Sequence, residues 1–195
     1  MIIAVVNLKG GVGKTISSIA LATAAAGDGV SVRVIDTDPQ GSATTWAAEA
    51  EDAGEPLPFP VVPGNVATVS RLRDDEGLTI IDLPPSGDIT DAAVDAAGFV
   101  IVPTSASPAD RDKTFKTVAS LEAAGVPHAV LVVRTSERTI AAHLLARELD
   151  ERGTSVFDTV IPRREALSNA FGHAMRDLNG YENAWDELKE VIYGD

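Results

Sequence analysis

The sequence contains no cysteine, few aromatic residues and comparatively little positive charge. Without cysteine, the chain can form neither disulfides nor thiolate metal sites. Aromatic residues make up 5% of a chain whose hydrophobic content is 45%. We therefore expect a core of Ala, Val, Ile and Leu, as is typical of α/β proteins. A length of 195 residues predicts one domain, 1–195, with a full hydrophobic core.

Long apolar runs are also missing from the sequence. No run approaches the roughly 20 residues that a membrane-spanning helix needs. The first residues, Met1 to Ala4, lack the basic segment with which a signal peptide begins. We therefore expect a cytoplasmic protein without membrane attachment.

The formal net charge of −13 should repel nucleic acid when it is averaged over the surface. The charge is unevenly distributed, however. Residues 1–110 carry five Lys/Arg and fifteen Asp/Glu, residues 111–164 carry nine and seven, and residues 165–195 carry two and seven. An anionic polymer is therefore expected to bind the 111–164 region, although each cation alone is more often a solvated surface charge. The candidate contacts are Arg111, Lys113, Lys116, Arg134, Arg138, Arg147, Arg152, Arg163 and Arg164.

Short apolar runs alternate with helical stretches, which predicts a mostly parallel, twisted sheet with helices on both faces. The predicted strands are Ile2–Val6, Ser31–Asp36, Leu78–Asp82, Phe99–Pro103, Ala129–Arg134 and, more weakly, Val156–Ile161. The predicted helices are Thr15–Ala26, Gly41–Ala50, Val66–Asp74, Thr90–Ala97, Pro108–Ala124, Ile140–Arg152, Arg164–His173 and Tyr181–Ile192. Residues 51–65 are expected to form a surface connection with room for one edge strand. In such a sheet, ligands bind beyond the carboxyl ends of the strands.

Residues 7–15 (NLKGGVGKT) lie between an apolar run and a helix-forming run, the context of a nucleotide phosphate loop. The usual pattern G-x-x-x-x-G-K-S/T is met by Gly13, Lys14 and Thr15, while its first position is Leu8. At a helix N-terminus, free N–H groups and the helix dipole favour phosphate. We expect Lys14 to contact the β- and γ-phosphates and Thr15 to ligate Mg²⁺. The alternative is a chance glycine-rich turn.

Lys9 is an additional cation in this loop, and it is followed by the pair Gly10 and Gly11. A second lysine here has few roles unless it reaches a phosphate. That phosphate could belong to a neighbouring subunit.

Three carboxylates fall at predicted strand ends. Asp36 and Asp38 follow the second strand, where one can hold the water shell of Mg²⁺ and the other can orient an attacking water. The alternative for this pair is a helix cap before Pro39. Asp82 ends the apolar run 78–82 in a Walker-B arrangement and is expected to face Mg²⁺, although an isolated strand-end aspartate is often only a cap.

Two further segments are weaker candidates. Residues 103–110 could face a nucleotide base or a second subunit, or they could simply form a loop with Ser107 capping a helix that starts at Pro108. Residues 161–164, which include Pro162 and Arg163, could approach adenine through backbone groups, with arginine stacked on the base. A salt-bridged surface is the alternative for this second segment.

Taken together, these motifs resemble the ParA/MinD-type deviant Walker ATPases, and most closely the small ParA-type partition ATPases. The resemblance lies in residues 9–15, in 36–41 (DTDPQG) and in 81–85 (IDLPP), and it extends more weakly through 160–163. The order and spacing of these motifs cover nearly the whole chain. The resemblance implies a single-domain P-loop NTPase fold.

The resemblance also implies a mechanism in which two subunits enclose two ATP molecules as a homodimer. Lys9 would reach the partner's phosphates, Lys14 would neutralise phosphate in its own subunit, and Asp38 would position the water for slow hydrolysis. Thr15, Asp36 and Asp82 would hold Mg²⁺, and a side chain at Gly10 should block the dimer. The implied nucleotide-contacting set is Lys9, Gly10, Gly11, Val12, Gly13, Lys14, Thr15, Ile16, Pro162 and Arg163.

Further implications concern partners and departures from the family. The ATP-bound dimer would bind DNA nonspecifically and so associate with the nucleoid, and a centromere- or cargo-binding partner protein would stimulate hydrolysis. Ile16 replaces a frequent Thr or Ser, so a side-chain contact to the α-phosphate is lost. The phosphate loop begins at residue 7, which leaves no helix-turn-helix before it, and we do not expect operator binding. Residues 181–192 predict a helix that packs on the domain instead of on a membrane.

Three functions remain open on this basis. The first is an ATP-switched partition motor for a plasmid, chromosome or other cargo. The second is an ATP-dependent positioning or scaffold protein that acts without DNA, which the acidic composition favours. The third is a metabolic phosphoryl-transfer or ligase-type enzyme of the same superfamily, such as a biotin-synthesis ligase.

Overall fold

Seven strands form one parallel sheet in the computed structural model, which describes residues 1–73, 77–135 and 140–194. The strands are β1 (Ile2–Val5), β2 (Val32–Asp36), β3 (Val61–Pro63), β4 (Leu78–Asp82), β5 (Phe99–Thr104), β6 (His128–Thr135) and β7 (Val156–Pro162). Their order is β3-β2-β4-β1-β5-β6-β7. The predicted sheet is confirmed, and the edge strand expected within 51–65 is β3.

Helices connect the strands. They are α1 (Lys14–Gly27), α2 (Ser42–Asp52), α3 (Val66–Val69), α4 (Asp88–Ala96), α5 (Pro108–Ala124), α6 (Ile140–Asp150), α7 (Glu165–Asn169) and α8 (Tyr181–Tyr193). Two predicted helices are shorter than expected. The helix predicted at 66–74 ends at Val69, and position 74 lies outside the described residues. The helix predicted at 164–173 ends at Asn169, and Gly172 beyond it adopts a left-handed φ of 77°, through which a helix cannot continue. The Trp46 indole N–H donates to the carbonyl of the next residue, His173, at 2.9 Å.

Apolar side chains that point alternately to the two faces of the strands form a hydrophobic core on each face of the sheet. In β1, Ile3 and Val5 pack with α1, α2 and α8, whereas Ile2 and Ala4 pack with α3, α4, α5 and α6. The side chains of a strand point alternately to its two faces, so a run without polar residues fits a strand covered on both sides. The phosphate-loop candidate follows β1, the central strand, at the carboxyl edge of the sheet.

Helix α8 packs on the domain, as its apolar spacing predicts. Tyr181, Ala184, Trp185 and Leu188 are all buried. The Trp185 indole N–H donates to the Asp28 carboxylate at 2.8 Å. Within the described parts of the chain, no helix is both long and apolar enough to span a membrane.

Strand β7 closes one edge of the sheet and is irregular. Its register with β6 shifts between the pairs Val130–Val156 and Val132–Val160. In the bulged stretch, the Glu187 carboxylate accepts the backbone N–H groups of Asp158 at 2.7 Å and Thr159 at 2.8 Å. Two donors of this edge strand are therefore bound by α8.

Candidate functional site

The loop between β1 and α1 depends on glycine for its shape. Gly11 has φ 72° and Gly13 has φ 106°, which are left-handed conformations that favour glycine. Gly10 is different, because a Cβ built on it would meet no atom of the subunit within 4 Å. The subunit itself therefore leaves room for a side chain at Gly10.

The two lysines of the loop have different environments. Lys14 is buried and its ammonium donates to the carbonyl of Lys9 at 3.3 Å. Burial lowers the pKa of Lys14, while the charges of Asp82 and Asp38 act in the opposite direction. The Lys9 side chain is 42% exposed, and its Nζ lies 4.0 Å from a carboxylate oxygen of Asp110. Lys14 thus points into the loop and Lys9 lies at its rim.

Asp82 lies beneath the start of α1 and is 1% exposed. It accepts hydrogen bonds from the Thr15 hydroxyl at 2.7 Å and the Ser18 hydroxyl at 3.1 Å. Burial raises its pKa to about 7, although the two hydroxyl bonds oppose the rise. The carboxylate of the predicted Walker-B strand therefore meets the predicted Mg²⁺ ligand Thr15.

Asp36 and Asp38 occupy the neighbouring strand end. The carboxylate of Asp36 is buried and accepts the backbone N–H and the hydroxyl of Thr44, each at 2.8 Å, in the first turn of α2. It also accepts the Asp38 N–H at 3.2 Å. Asp36 therefore does cap the start of α2, as the alternative interpretation of the pair states. Asp38 is half-buried and accepts the Gln40 N–H at 2.9 Å.

A cavity of about 360 Å³ brings the loop together with Asp38. Its wall includes Gly10, Lys14 and Thr15 on one side and the aromatic residues Trp46 and Phe171 on another. The two rings are tilted at 45°, with centroids 5.2 Å apart, and Phe171 is 41% exposed. The sequence did not lead us to this aromatic pair, because the two residues lie far apart in the chain and belong to no motif.

A second cavity of about 260 Å³ joins the end of the loop to the segment after β7. It is lined by Gly13, Ile16, Arg134, Ile161, Pro162, Arg163, Arg164, Leu167, Ser168 and Tyr181. The structure therefore brings Pro162 and Arg163 to the loop, and their contact with a nucleotide stays a prediction. The backbone N–H of Arg163 is held by the Thr135 carbonyl at 2.8 Å.

A third cavity of about 290 Å³ lies at the outer side of the loop, where it is lined by Lys9, Gly10, Gly11, Val12, Ser105, Asp110, Arg134 and Arg163. The loop-and-cap interpretation of residues 103–110 is confirmed, and a contact with a base or a second subunit stays a prediction. Ser107 caps α5 by accepting the Asp110 N–H at 3.3 Å, and Pro108 is at its first turn. Ser105 and Asp110 also face the loop.

Asn7 connects the start of the loop to α5. Its side-chain amide donates to the Pro103 carbonyl at 2.9 Å and to the Thr114 hydroxyl at 3.2 Å. Its side-chain oxygen accepts the Lys9 N–H at 2.9 Å. Asn7 is buried, so these bonds fix the position from which Lys9 extends.

Among the described residues, most cations of 111–164 pair with carboxylates or lie at the loop. Arg111 and Arg152 pair with Glu148, Arg147 pairs with Glu151, and Lys116 pairs with Asp112. Arg134, Arg163 and Arg164 line the cavities at the loop. Arg138 lies outside the described residues.

Two further observations concern metal binding and a cavity away from the loop. Among the described residues, no group of three or more His, Cys, Asp or Glu side chains is arranged to hold a metal ion. A cavity of about 830 Å³ lies between α6 and β7, and its lining includes none of the predicted nucleotide-binding or metal-binding residues.

The parallel sheet, the glycine-rich loop after its central strand and the buried aspartate at the end of β4 define a P-loop nucleotide-binding protein. The family model described as the CobQ/CobB/MinD/ParA nucleotide binding domain matches residues 3–177. The chain belongs to this family.

Two relatives have names that indicate different cellular roles. The chain is 35% identical over 176 residues to the maintenance of carboxysome distribution protein A of Gloeobacter kilaueensis, covering 87% of the chain and 80% of that protein. It is 35% identical over 207 residues to the chromosome-partitioning ATPase Soj of Thermus thermophilus, covering 86% and 83%.

Solved structures share the fold at lower identity. The cell division ATPase MinD of Pyrococcus furiosus superposes with a TM-score of 0.79 at 18% identity, covering 98% of the chain and 99% of MinD. An ATP complex of McdA from Cyanothece superposes with a TM-score of 0.76 at 19% identity, covering 98% and 96%.

Proposed function

We propose that this chain is a weakly active ATPase that dimerises around ATP and positions or segregates a cargo with a partner protein that stimulates hydrolysis. The observation that carries the proposal is the pair of lysines in one loop. Lys14 is buried in the loop, whereas Lys9 is exposed at the rim beside a separate polar cavity. The phosphates of ATP bound to the second subunit of the dimer would neutralise the ammonium group of Lys9.

The residues present fit ATP and Mg²⁺. Lys14 and the first N–H groups of α1 suit phosphate oxygens, and Thr15 and Asp82 offer the oxygen ligands that Mg²⁺ prefers. Burial disfavours the charged forms of both Lys14 and Asp82, which a bound phosphate and a bound cation would stabilise. When bound, Mg²⁺ neutralises the charge that develops on the phosphates. Asp38 lies in the same cavity as Lys14 and would orient the attacking water.

Gly10 supports the proposed dimer. Its own subunit would accommodate a Cβ, and its φ lies outside the left-handed region, so neither local packing nor backbone strain requires glycine there. Close approach of a second subunit would explain the missing side chain.

The decisive experiment measures molecular mass in solution with ADP and with a nonhydrolysable ATP analogue. The wild-type chain should be monomeric with ADP and dimeric with the analogue. Lys9→Ala should bind the analogue yet stay monomeric, whereas Lys14→Ala should lose nucleotide binding. Lys116→Ala is the matched control, because Lys116 is 59% exposed and pairs with Asp112 at 3.0 Å. A dimeric Lys9→Ala variant would contradict the proposal.

The proposed cargo is a replicon or a large protein assembly. Relatives at 35% identity include both a carboxysome-distribution protein and a chromosome-partitioning ATPase, so the two cargo classes are comparably supported. Co-sedimentation with proteins encoded beside this gene, with and without ATP, would identify the partner. The metabolic alternative predicts a product other than ADP and phosphate. Detection of a small molecule that is ligated or phosphorylated at the expense of ATP would therefore favour an enzyme over a positioning protein.

Nonspecific DNA binding is the second candidate function, and the cations of 111–164 favour it. Because several of them are paired with carboxylates, we expect retention on duplex DNA only for the ATP-bound dimer and only at low salt. A dimer that does not bind DNA at 50 mM salt would favour a scaffold that acts without DNA. Replacing Lys113 and Lys116 by Ala should weaken retention without changing dimerisation.

A further inference from the structure

Strand β6 is irregular at the end that faces the phosphate-binding loop. Its pairing with β7 passes from Val132–Val160 to Thr135–Pro162, so β6 has one more residue than β7 over this stretch. Arg134 lies in this bulge with φ 55°, a left-handed conformation that residues other than glycine rarely adopt. Bulges redirect side chains and are frequent beside active sites.

The bulge changes the direction of the Arg134 side chain. In a regular strand it would point to the same face as Val132, which belongs to the core that α5 and α6 cover. Instead, its guanidinium donates a hydrogen bond to the carbonyl of Gly11 in the phosphate-binding loop. An unfavourable backbone conformation is thus kept where it places an arginine against the loop.

The guanidinium also faces the two smaller cavities at the loop. It shares one with Gly13 and Ile16 and the other with Lys9 and Gly10. Arginine has five N–H donors in a planar fork that matches phosphate oxygens, and the contact with Gly11 uses one of them. Ile16 contributes only an apolar side chain to the first of these cavities.

We propose that Arg134 is a positioning residue for the bound nucleotide. One N–H fixes the loop through the Gly11 carbonyl, and the others bind the phosphate nearest the ribose, beside Gly13 and Ile16. This role rests on the nucleotide binding within the proposed function, and it is independent of dimerisation, cargo and DNA. Arg134 therefore acts in its own subunit, unlike the predicted role of Lys9.

The test is the affinity of the full-length chain for ATP, ADP, AMP and adenosine, measured by calorimetry. The phosphate nearest the ribose is common to ATP, ADP and AMP. Arg134→Ala should therefore lower the affinity for all three by about 10-fold to 100-fold. Adenosine affinity should not change. Arg147→Ala is the control, because Arg147 is 76% exposed and pairs with Glu151 on the same helix. An equal loss of affinity for adenosine, or an unchanged affinity for the nucleotides, would overturn the proposal.

A second variant separates this role from a purely structural one. Arg134→Gly removes the guanidinium and also relieves the left-handed backbone, so the melting temperature without nucleotide should stay level or rise. Its ATP affinity should fall as much as that of Arg134→Ala. ATP affinity at the wild-type level in Arg134→Gly would show that the guanidinium has no positioning role. A wild-type chain that binds no nucleotide would instead refute the proposed function.

Discussion

At the residue scale, burial sets the properties of the ionisable groups beneath the loop. Asp82 is almost completely buried and bonded to the hydroxyls of Thr15 and Ser18. The sequence identified Asp82 and Thr15 from their motifs. It did not identify Ser18, which follows Lys14 by one helical turn and shares the same carboxylate. An i, i+4 pattern starting at the loop lysine could have found it.

The raised pKa of Asp82 predicts how stability depends on pH in the nucleotide-free, metal-free protein. The folded state keeps a proton that the unfolded state releases above pH 4, so the free energy of unfolding should fall as pH rises towards about 7 and level off above it. The fall should reach at most about 4 kcal/mol. Asp82→Asn should abolish this slope and be the more stable protein at pH 8. Urea unfolding at pH 5 and pH 8 measures the effect, and an unchanged slope would contradict it.

Asp38 is predicted to act on hydrolysis without acting on dimer formation. It lies in the loop cavity and carries none of the predicted metal ligation. Asp38→Asn should lower phosphate release by roughly 100-fold or more while the ATP-bound dimer persists. Asp52→Asn, at the exposed end of α2, should leave both unchanged. A monomeric Asp38→Asn variant with bound ATP would contradict this role.

At the element scale, helix α8 supports the nucleotide-binding helix α1. The hydroxyls of Tyr181 and Ser17 lie 2.8 Å apart in the buried contact between the two helices. Trp185 bonds to Asp28, which follows α1. The sequence predicted that α8 packs on the domain, but only the fold shows that it packs on α1.

Truncating Trp185 should therefore destabilise the whole domain. Trp185 is 1% exposed, and its replacement by Ala removes a buried ring together with its bond to Asp28. We expect a loss of about 3–5 kcal/mol in the free energy of unfolding, measured by urea denaturation. Val191→Ala on the same helix is the control, since Val191 is 63% exposed and should change stability by less than about 0.5 kcal/mol.

Elements were predictable where a local pattern determines them. The strands with continuous apolar runs, such as β1 and β4, lie where the sequence placed them, because both faces of the sheet are covered. Helix α7 is shorter than predicted, and the segment after it, with left-handed Gly172, is held by a bond from the Trp46 indole, far away in the chain, to the His173 carbonyl. Arg134 was grouped with possible DNA contacts. Its position at the loop depends on a bulge in β6, which no local sequence pattern predicts.

At the scale of the whole molecule, the net charge of −13 opposes both dimerisation and DNA binding. The two processes should nevertheless respond to salt in opposite ways. Screening reduces repulsion between two acidic subunits, whereas salt weakens the attraction between cations and DNA phosphates.

We therefore expect that raising salt from 50 to 300 mM strengthens dimerisation with an ATP analogue and weakens DNA retention. Light scattering and filter binding on the same samples would measure the two responses. Dimerisation that weakens with salt would show that the contacts of Lys9 outweigh the long-range repulsion. The Lys9→Ala variant shows no analogue-dependent dimerisation in this scheme and provides the baseline.

The carboxylate of Glu187 has a consequence for how copies of this chain can join. It occupies two adjacent amide groups on β7, an edge strand, so neither group is available to pair with the main chain of a neighbouring molecule. The bulge at the same place further interrupts the regular ladder that a fibre would need. Main-chain pairing between copies is thereby disfavoured along this stretch of β7, unlike the side-chain contact proposed for Lys9.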